Sequence, residues 1–360
     1  MYPSADDTSL LRNALTFAIA NAAGFVPLPP LAAPVELLNE GLYWVFDRDD
    51  SSLEGGATSA DVAQFSPFSA DAETSFFVPL SPPLGGALKM MRSVDGDLSS
   101  GAERFGAAMQ RAAAALRPSS VSRDGDGGGA TCDWAAVASS LDAPAFIRFF
   151  LLTEFSNDPD AYGKSVSLFL PYNSSASRRA HHGSSHPTAT IHNPPDPSGD
   201  YPLLAPLCPW DKNMGYGGSG GSAVAGWRVL AAFEQSCDVL DNAASIWGRL
   251  AAPLPASPPN ASHVNSSTLW CPPFWRAAAD MWRSMRTPPD GAASNAAVAS
   301  FLRGAASVLR RSGAVGRDRA MWGVEGGRSD DYQAEADQVV VWCTQRGAWM
   351  DAELQRLAGG

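Results

Sequence analysis

The sequence predicts an α+β fold in which a small antiparallel sheet region precedes a mainly helical C-terminal part. Strand-like patterns lie early and again at 165–209, and helical periodicity takes over from Ser222 onward. No strand–helix–strand alternation runs through the chain, which argues against a parallel α/β sheet. Hydrophobic residues make up 45% of the chain, with 11 Trp and 16 Phe. That much bulky apolar surface supports a packed core rather than general disorder.

Asp7 is placed to cap a helix in which Leu10, Leu11, Ala14, Leu15, Ala18 and Ala22 recur at helical spacing, with Gly24 as its stop signal. Arg12 and Thr16 fall on its other face, where Arg12 would meet solvent or a carboxylate from elsewhere. Val35-Glu-Leu-Leu38 and Leu42-Tyr-Trp-Val-Phe46 flank Asn39-Glu-Gly41, the pattern of a β-hairpin. Residues 48–100 mix short apolar pieces with Ser, Asp, Gly and Pro and give no firm element. Residues 102–116 read as a helix with Phe105, Ala108, Met109, Ala112 and Leu116 on one face and Pro118 just beyond. The Gly- and Asp-rich stretch 119–131 reads as a flexible linker, so the expected division is 1–118, 119–131 and 132–360.

Asp142 can cap the next helix, whose Phe146, Ile147, Phe150, Leu151 and Phe155 form an apolar stripe ending near Asn157-Asp-Pro. Ser165-Val-Ser-Leu-Phe-Leu170 reads as a strand and residues 201–209 as its interrupted partner, leading to Trp210-Asp211. The tip between them, 173–199, is rich in Ser, His, Pro and Arg and reads as a mobile surface loop. Helices are expected at 223–235, 238–250, 273–285, 296–311 and 332–357.

A net charge of −11 leaves no sustained cationic surface, so nucleic acid is not an expected partner. No apolar run reaches the length of a membrane span, and the opening residues read as the interior of a domain rather than a signal peptide. The five Cys form no CxxC pair and have no His close by, which argues against a zinc site. Sequons at Asn173, Asn260 and Asn265 suit a secreted or extracellular glycoprotein, although Ser-rich loops also produce such triplets by chance.

The stretch richest in chemical information is Pro209-Trp-Asp-Lys-Asn-Met-Gly-Tyr-Gly-Gly218. It sets Asp211 between a strand and a glycine loop, where a carboxylate can be aimed at a hard cation such as Mg2+. Asp160, in the turn after the preceding helix, is a second acid that could converge on the same site. Asn213 would face the same side as Asp211 if that piece is extended. Gly215 and Gly217 would let the loop pass close to phosphate or to its own helix. Plainer readings exist for both acids: Asp211 as a strand-end carboxylate capping the loop, and Asp160 as ordinary turn chemistry. Gly215 to Gly220 also fits GxGxxG formally, but the surrounding βαβ pattern of a dinucleotide fold is missing. His181, His182, His186 and His192 sit in the low-complexity tip, where no rigid element fixes a ligand geometry. The stripe Phe274, Ala278, Met281, Trp282 and Met285 reads as core, as do Trp342 and Trp349.

Asn157-Asp-Pro-Asp160-Ala-Tyr162 followed by Pro209-Trp-Asp211-Lys-Asn213-Met resembles the paired motif of the CotH spore-coat protein kinase family, an atypical kinase-like family. Asp7-Thr-Ser-Leu-Leu-Arg12-Asn13 is similar to the family's early helix, residues 35–47 to its hairpin, and Trp342-Cys-Thr-Gln-Arg346-Gly-Ala-Trp349-Met-Asp351 to its C-terminal helix. The resemblance implies a two-lobed kinase-like fold that transfers the γ-phosphoryl group of ATP to Ser or Thr of secreted or surface proteins, with Mg2+ or Mn2+ at the paired aspartates. Asp211 would ligate the metal, and Asp160 would accept the hydroxyl proton or share the metal. Asn213, Gly215 and Gly217 would lie against the nucleotide. The sequence departs from the family's pattern in three ways. The strands that would carry a nucleotide-gripping Lys before the early helix are missing, with Lys89 the nearest substitute. Ser165 and Ser167 stand where an amide is usual, and the acidic end of the hairpin, Asp47-Arg-Asp-Asp50, is short. A relative of another class would keep the fold, lack activity and serve as a surface-binding or adhesion module.

Overall fold

The computed structural model describes residues 2–3, 7, 9, 11–25, 32–37, 41–46, 60–65, 77–79, 87–93, 96–117, 132–159, 162, 166–171, 202–209, 212–218, 223–229, 242–251, 271–287, 291–322 and 332–359. These residues are mainly helical, with antiparallel strands as the remaining regular structure. The expected linker 119–131, the tip 173–199 with its histidines and the sequons all lie outside them.

Strand β1 (Tyr2–Pro3) pairs antiparallel with β3 (Gly41–Phe46), which also pairs with β2 (Ala32–Leu37). The expected hairpin is therefore present, with Val35 opposite Tyr43. A second antiparallel sheet is built from β4 (Ala60–Phe65), β5 (Phe77–Pro79), β6 (Ala87–Arg92), β7 (Ser167–Pro171) and β8 (Ala205–Pro206), in the order β5-β6-β4-β7-β8. Three of its strands fall in the stretch 48–100, where the sequence shows no clean alternation. Pairing supplies the strand character there: β4 lies between β6 and β7, so its backbone is bonded on both sides despite a register shift at Val62/Ala63. The β7–β8 pairing, with Leu168 opposite Pro206, is the expected hairpin that leads toward residue 211.

Helix α1 (Arg12–Ala22) has Leu11 at its N-cap without a side-chain cap, and Asp7 takes the Arg12 N–H from five residues upstream at 3.0 Å. Arg12 is not on a solvated face. Its residue is 8% exposed and its guanidinium pairs with the same Asp7, so the cap and the charge neutralisation come from one carboxylate. Helix α2 (Leu98–Ala115) starts four residues before the expected onset, because Asp97 accepts from the Ser99 N–H at 2.9 Å. It lies on the sheet, where its Arg104 forms a two-bonded pair with the fully buried Asp61 of β4, at 2.8 and 2.9 Å.

A short α3 (Trp134–Ser140) precedes α4 (Ala143–Ser156), which Asp142 caps through the Ala145 N–H at 3.1 Å. The sequence stripe predicts one apolar face for α4, but every residue from 149 to 156 is buried, so this helix runs through the core. The helices α5 (Asn242–Ala251), α6 (Pro272–Arg286), α7 (Asn295–Arg311), α8 (Ala314–Trp322) and the long α9 (Tyr332–Ala358) follow; α6 and α9 pack on α4, α5 meets it through Trp247, and α8 lies against α7 and β3. Helix α9 rests on α6, α7 and α4. Phe150 stacks on Trp227 with ring centroids 5.6 Å apart, and Phe149 on Trp247 at 4.6 Å. One hydrophobic cluster joins residues of α1, α2, α4, α6, α7 and α9. Among the described residues no helix is long and apolar enough to cross a membrane.

A disulfide joins Cys132, just ahead of α3, to Cys271 at the start of α6, while Cys208 and Cys343 are free and buried. Such a bond points to an oxidising compartment, in keeping with an extracellular setting.

Candidate functional site

Asp160 and Asp211 lie outside the described residues, but the chain on both sides of each is placed. Helix α4 ends at Asn157, which adopts the left-handed conformation (φ 49°) and donates its backbone N–H to Thr153 O at 3.0 Å. Asn tolerates that conformation, and its side chain uses the turn: Nδ2 donates to Ala223 O at 2.7 Å. Asp158, next in the chain, is buried at 1% exposure.

The loop that follows Asp211 is packed onto this helix end. The Tyr216 N–H donates to Ser156 O at 2.7 Å, and a Cβ on Gly215 would sit 2.9 Å from that same carbonyl. Only glycine permits this approach. Gly217 has φ +78°, and a Cβ there would meet Cδ1 of Trp342 at 2.7 Å. Gly215 and Gly217 are therefore explained by packing of the loop against α4 and α9. Asn213 is not in an extended piece: it sits in a turn, where its Oδ1 accepts from the Met214 N–H at 3.1 Å. That local bond competes with extension, as Asn side chains do. From the other side, Asn13 of α1 accepts the Lys212 N–H at 2.6 Å, and Thr16 shares a 2.8 Å hydroxyl bond with Tyr216.

A buried polar network lies beneath the Asn157 turn. Glu154, fully buried on α4, accepts from the Arg228 N–H and Val229 N–H at 2.7 Å each and from the Tyr162 hydroxyl at 2.9 Å. Arg346 of α9 lies 3.3 Å from its carboxylate and donates to the carbonyls of Glu154, Val224 and Gly226. Burial pushes the Glu154 carboxyl above the usual carboxylate range, and Arg346 with the hydrogen bonds opposes that push. Burial likewise holds Arg346 down to about 10 and lifts the Tyr162 hydroxyl well above its ordinary value, reinforced by the Glu154 charge.

The same network corrects the helix expected at 223–235. Residues 223–227 are not helical, and helix begins only at Arg228 among the described residues. The carbonyls of Ala223, Val224 and Gly226 are drawn to Asn157 and Arg346, and Gly226 adopts φ +94°. Carbonyls turned toward side chains in this way do not form helical bonds.

On the α9 side of the glycine loop lies a cleft of about 620 Å³, bordered by Arg12, Gly217, Gln338, Trp342 and Gln345. Its volume is that of a small-molecule site. No group of three or more His, Cys, Asp or Glu among the described residues is arranged to hold a metal ion. The expected metal ligands, Asp160 and Asp211, are not among those residues. As a donor set, two carboxylates supply oxygen ligands of the kind Mg2+ or Mn2+ takes.

No family model, no curated protein and no solved structure matches the chain.

Glu154 did not stand out as a functional residue in the sequence, yet a signal was there. A lone carboxylate within Phe149-Phe-Leu-Leu-Thr-Glu-Phe155 lies in a segment too apolar to be exposed, so it requires a buried partner. Nothing in the sequence names that partner as Arg346, because the two are 192 residues apart.

Proposed function

We propose that the chain is a CotH-like atypical protein kinase, two-lobed and kinase-like in fold, that transfers the γ-phosphoryl group of ATP to Ser or Thr of secreted or surface proteins. One observation carries this reading: stretches far apart in the sequence, each bearing part of the resemblance, are in contact. Asn13 of the early motif bonds Lys212, next to Asp211. Tyr216, just past the second motif, bonds Ser156, next to the first. Arg346 and Trp342 of the C-terminal motif touch Glu154 and Tyr216. These contacts support the resemblance, because a shared fold would bring its motifs together. Asp211 and Asp160 would hold Mg2+ or Mn2+ against the phosphates, and the bound metal would neutralise charge on the transferring group. The chain's own part is positioning, which supplies much of the rate in phosphoryl transfer. The Cys132–Cys271 disulfide supports the secreted setting.

The test is incorporation of labelled phosphate from ATP into a mixture of secreted proteins, with and without Mg2+ or Mn2+, alongside nucleotide-dependent thermal shifts. Wild type is expected to transfer phosphate and to be stabilised by metal–ATP, since a ligand stabilises the state that binds it. Asp211→Ala and Asp160→Ala are each expected to lower transfer by at least about 100-fold, on the order of magnitude set by losing a group that acts only in the transition state. Equal transfer from all three proteins would remove the site assignment. Absence of both transfer and a metal-linked shift in wild type would favour the silent surface module.

A further inference from the structure

The Glu154 network fastens the chain on both sides of Asp160. Pro159 precedes that aspartate, and its carbonyl accepts from the Arg228 guanidinium. Tyr162 follows it two residues later, and its hydroxyl donates to Glu154 Oε1 at 2.9 Å. Arg228 itself is tied to the same carboxylate through its backbone N–H, at 2.7 Å from Oε2. One buried side chain thus holds both flanks of the residue assigned to proton transfer or metal sharing. Arg346 fixes Glu154 in turn and also grips Val224 and Gly226, in the segment that follows the glycine loop.

A buried ion pair is a poor way to gain stability, because an apolar pair of similar volume does as well or better. What this one specifies is geometry. Two of the bonds to the Glu154 carboxylate come from backbone N–H groups and one from Tyr162, and Arg346 adds a longer one at 3.3 Å while its other bonds go to carbonyls. Phosphoryl transfer depends on holding the acceptor, the metal and the acid in register, so misplacement by a fraction of an ångström is felt in the rate.

We infer that Glu154 is a positioning residue of the phosphoryl-transfer site, acting on the flanks of Asp160 through Tyr162 and Arg228, with Arg346 holding it in place. The inference rests on the kinase reading.

Glu154→Gln would leave a buried Arg346 without its counter-charge and risks the fold, so the decisive variant is Tyr162→Phe, which removes only the hydroxyl. Tyr332→Phe is the matched control. Its hydroxyl is also buried and also hydrogen-bonded, to Ser9 O, but it has no link to the Asp160 turn. The expected result is that Tyr162→Phe lowers kcat by about tenfold or more while KM for ATP and the metal–ATP thermal shift stay within about twofold, the signature of a lost transition-state placement. Tyr332→Phe should lose comparable stability and keep kcat. A wild-type kcat in Tyr162→Phe overturns the inference and leaves the kinase reading intact. Equal kcat losses in the two variants, or a loss of nucleotide binding together with kcat, overturn it as well, because either would mark a general loosening of the core. If wild type itself transfers no phosphate, the kinase reading falls and the positioning role falls with it.

Discussion

Gly217 and Gly226 both adopt left-handed backbone, at φ +78° and +94°, yet their surroundings differ. At Gly226 nothing lies within 4 Å of an added Cβ, whereas at Gly217 the indole of Trp342 lies at 2.7 Å. Gly226→Ala therefore meets only the backbone penalty, about 1–2 kcal/mol. Gly217→Ala adds overpacking against Trp342, a residue only 8% exposed with little room to retreat, for a total of about 2–5 kcal/mol. Urea midpoints of the two variants should show the larger drop for Gly217→Ala. Equal drops would mean that the loop yields freely and does not pack on α9. From the sequence, Gly215 and Gly217 would pass close to phosphate or to their own helix, whereas the loop they belong to is packed on the end of α4 and on α9. What they approach, Ser156 and Trp342, follows from tertiary packing that spacing alone does not encode.

At the scale of elements, the disulfide ties the entry of α3 to the entry of α6 across 139 residues. Closing so long a loop in the unfolded chain restricts it, which is worth about 2–5 kcal/mol in the chain-entropy account. Reduction, or Cys132→Ser with Cys271→Ser, should lower the melting temperature by roughly 3–7 °C while leaving far-UV circular dichroism at low temperature unchanged. A melting temperature insensitive to reductant would show that the bond does not form. Elements with a local cause were legible in the sequence: α4 from its Asp142 cap and apolar run, the β2–β3 hairpin from alternation around Gly41, α6, α7 and α9 from periodicity. Those with a distant cause were not. Strands β4 to β6 take their form from pairing with one another and with β7, and the break at 223–227 comes from Arg346, more than a hundred residues away. The candidate site divides the same way. Its acids were read from motif and Asn213 from an assumed extension, which the Met214 turn replaces. Glu154 and the packing role of Asn13 emerged only from contacts.

Across the whole molecule, the Tyr216 and Tyr332 hydroxyls join parts that are remote in sequence, through bonds to Thr16 and Ser9, while that of Tyr162 ties the turn after α4 back to Glu154, eight residues earlier. Burial is the largest influence on all three hydroxyls and raises each above its ordinary value, against an opposing pull from Arg346 and Arg228 at Tyr162 and from Arg319 at Tyr332. Burial raises the Cys208 and Cys343 thiols in the same way. The direction sets the sign. A group whose folded-state value is raised binds its proton more tightly in the folded chain, so its contribution is fully present below the unfolded value and is lost as pH rises toward the folded one. For the thiols the decline begins near pH 8.5 and for the tyrosines near 10, at up to about 1.4 kcal/mol per pH unit for each group that ionises on unfolding. These tyrosines and thiols should therefore leave the urea midpoint unaffected up to about pH 8 and pull it down with increasing steepness beyond 10. Tyrosinate absorbance at alkaline pH should rise in two parts, the second coinciding with loss of the near-UV circular dichroism of the Trp-rich core. If all seven tyrosines titrated together with that signal intact, the bonds of these hydroxyls to Glu154, Thr16 and Ser9 would not hold in the folded chain.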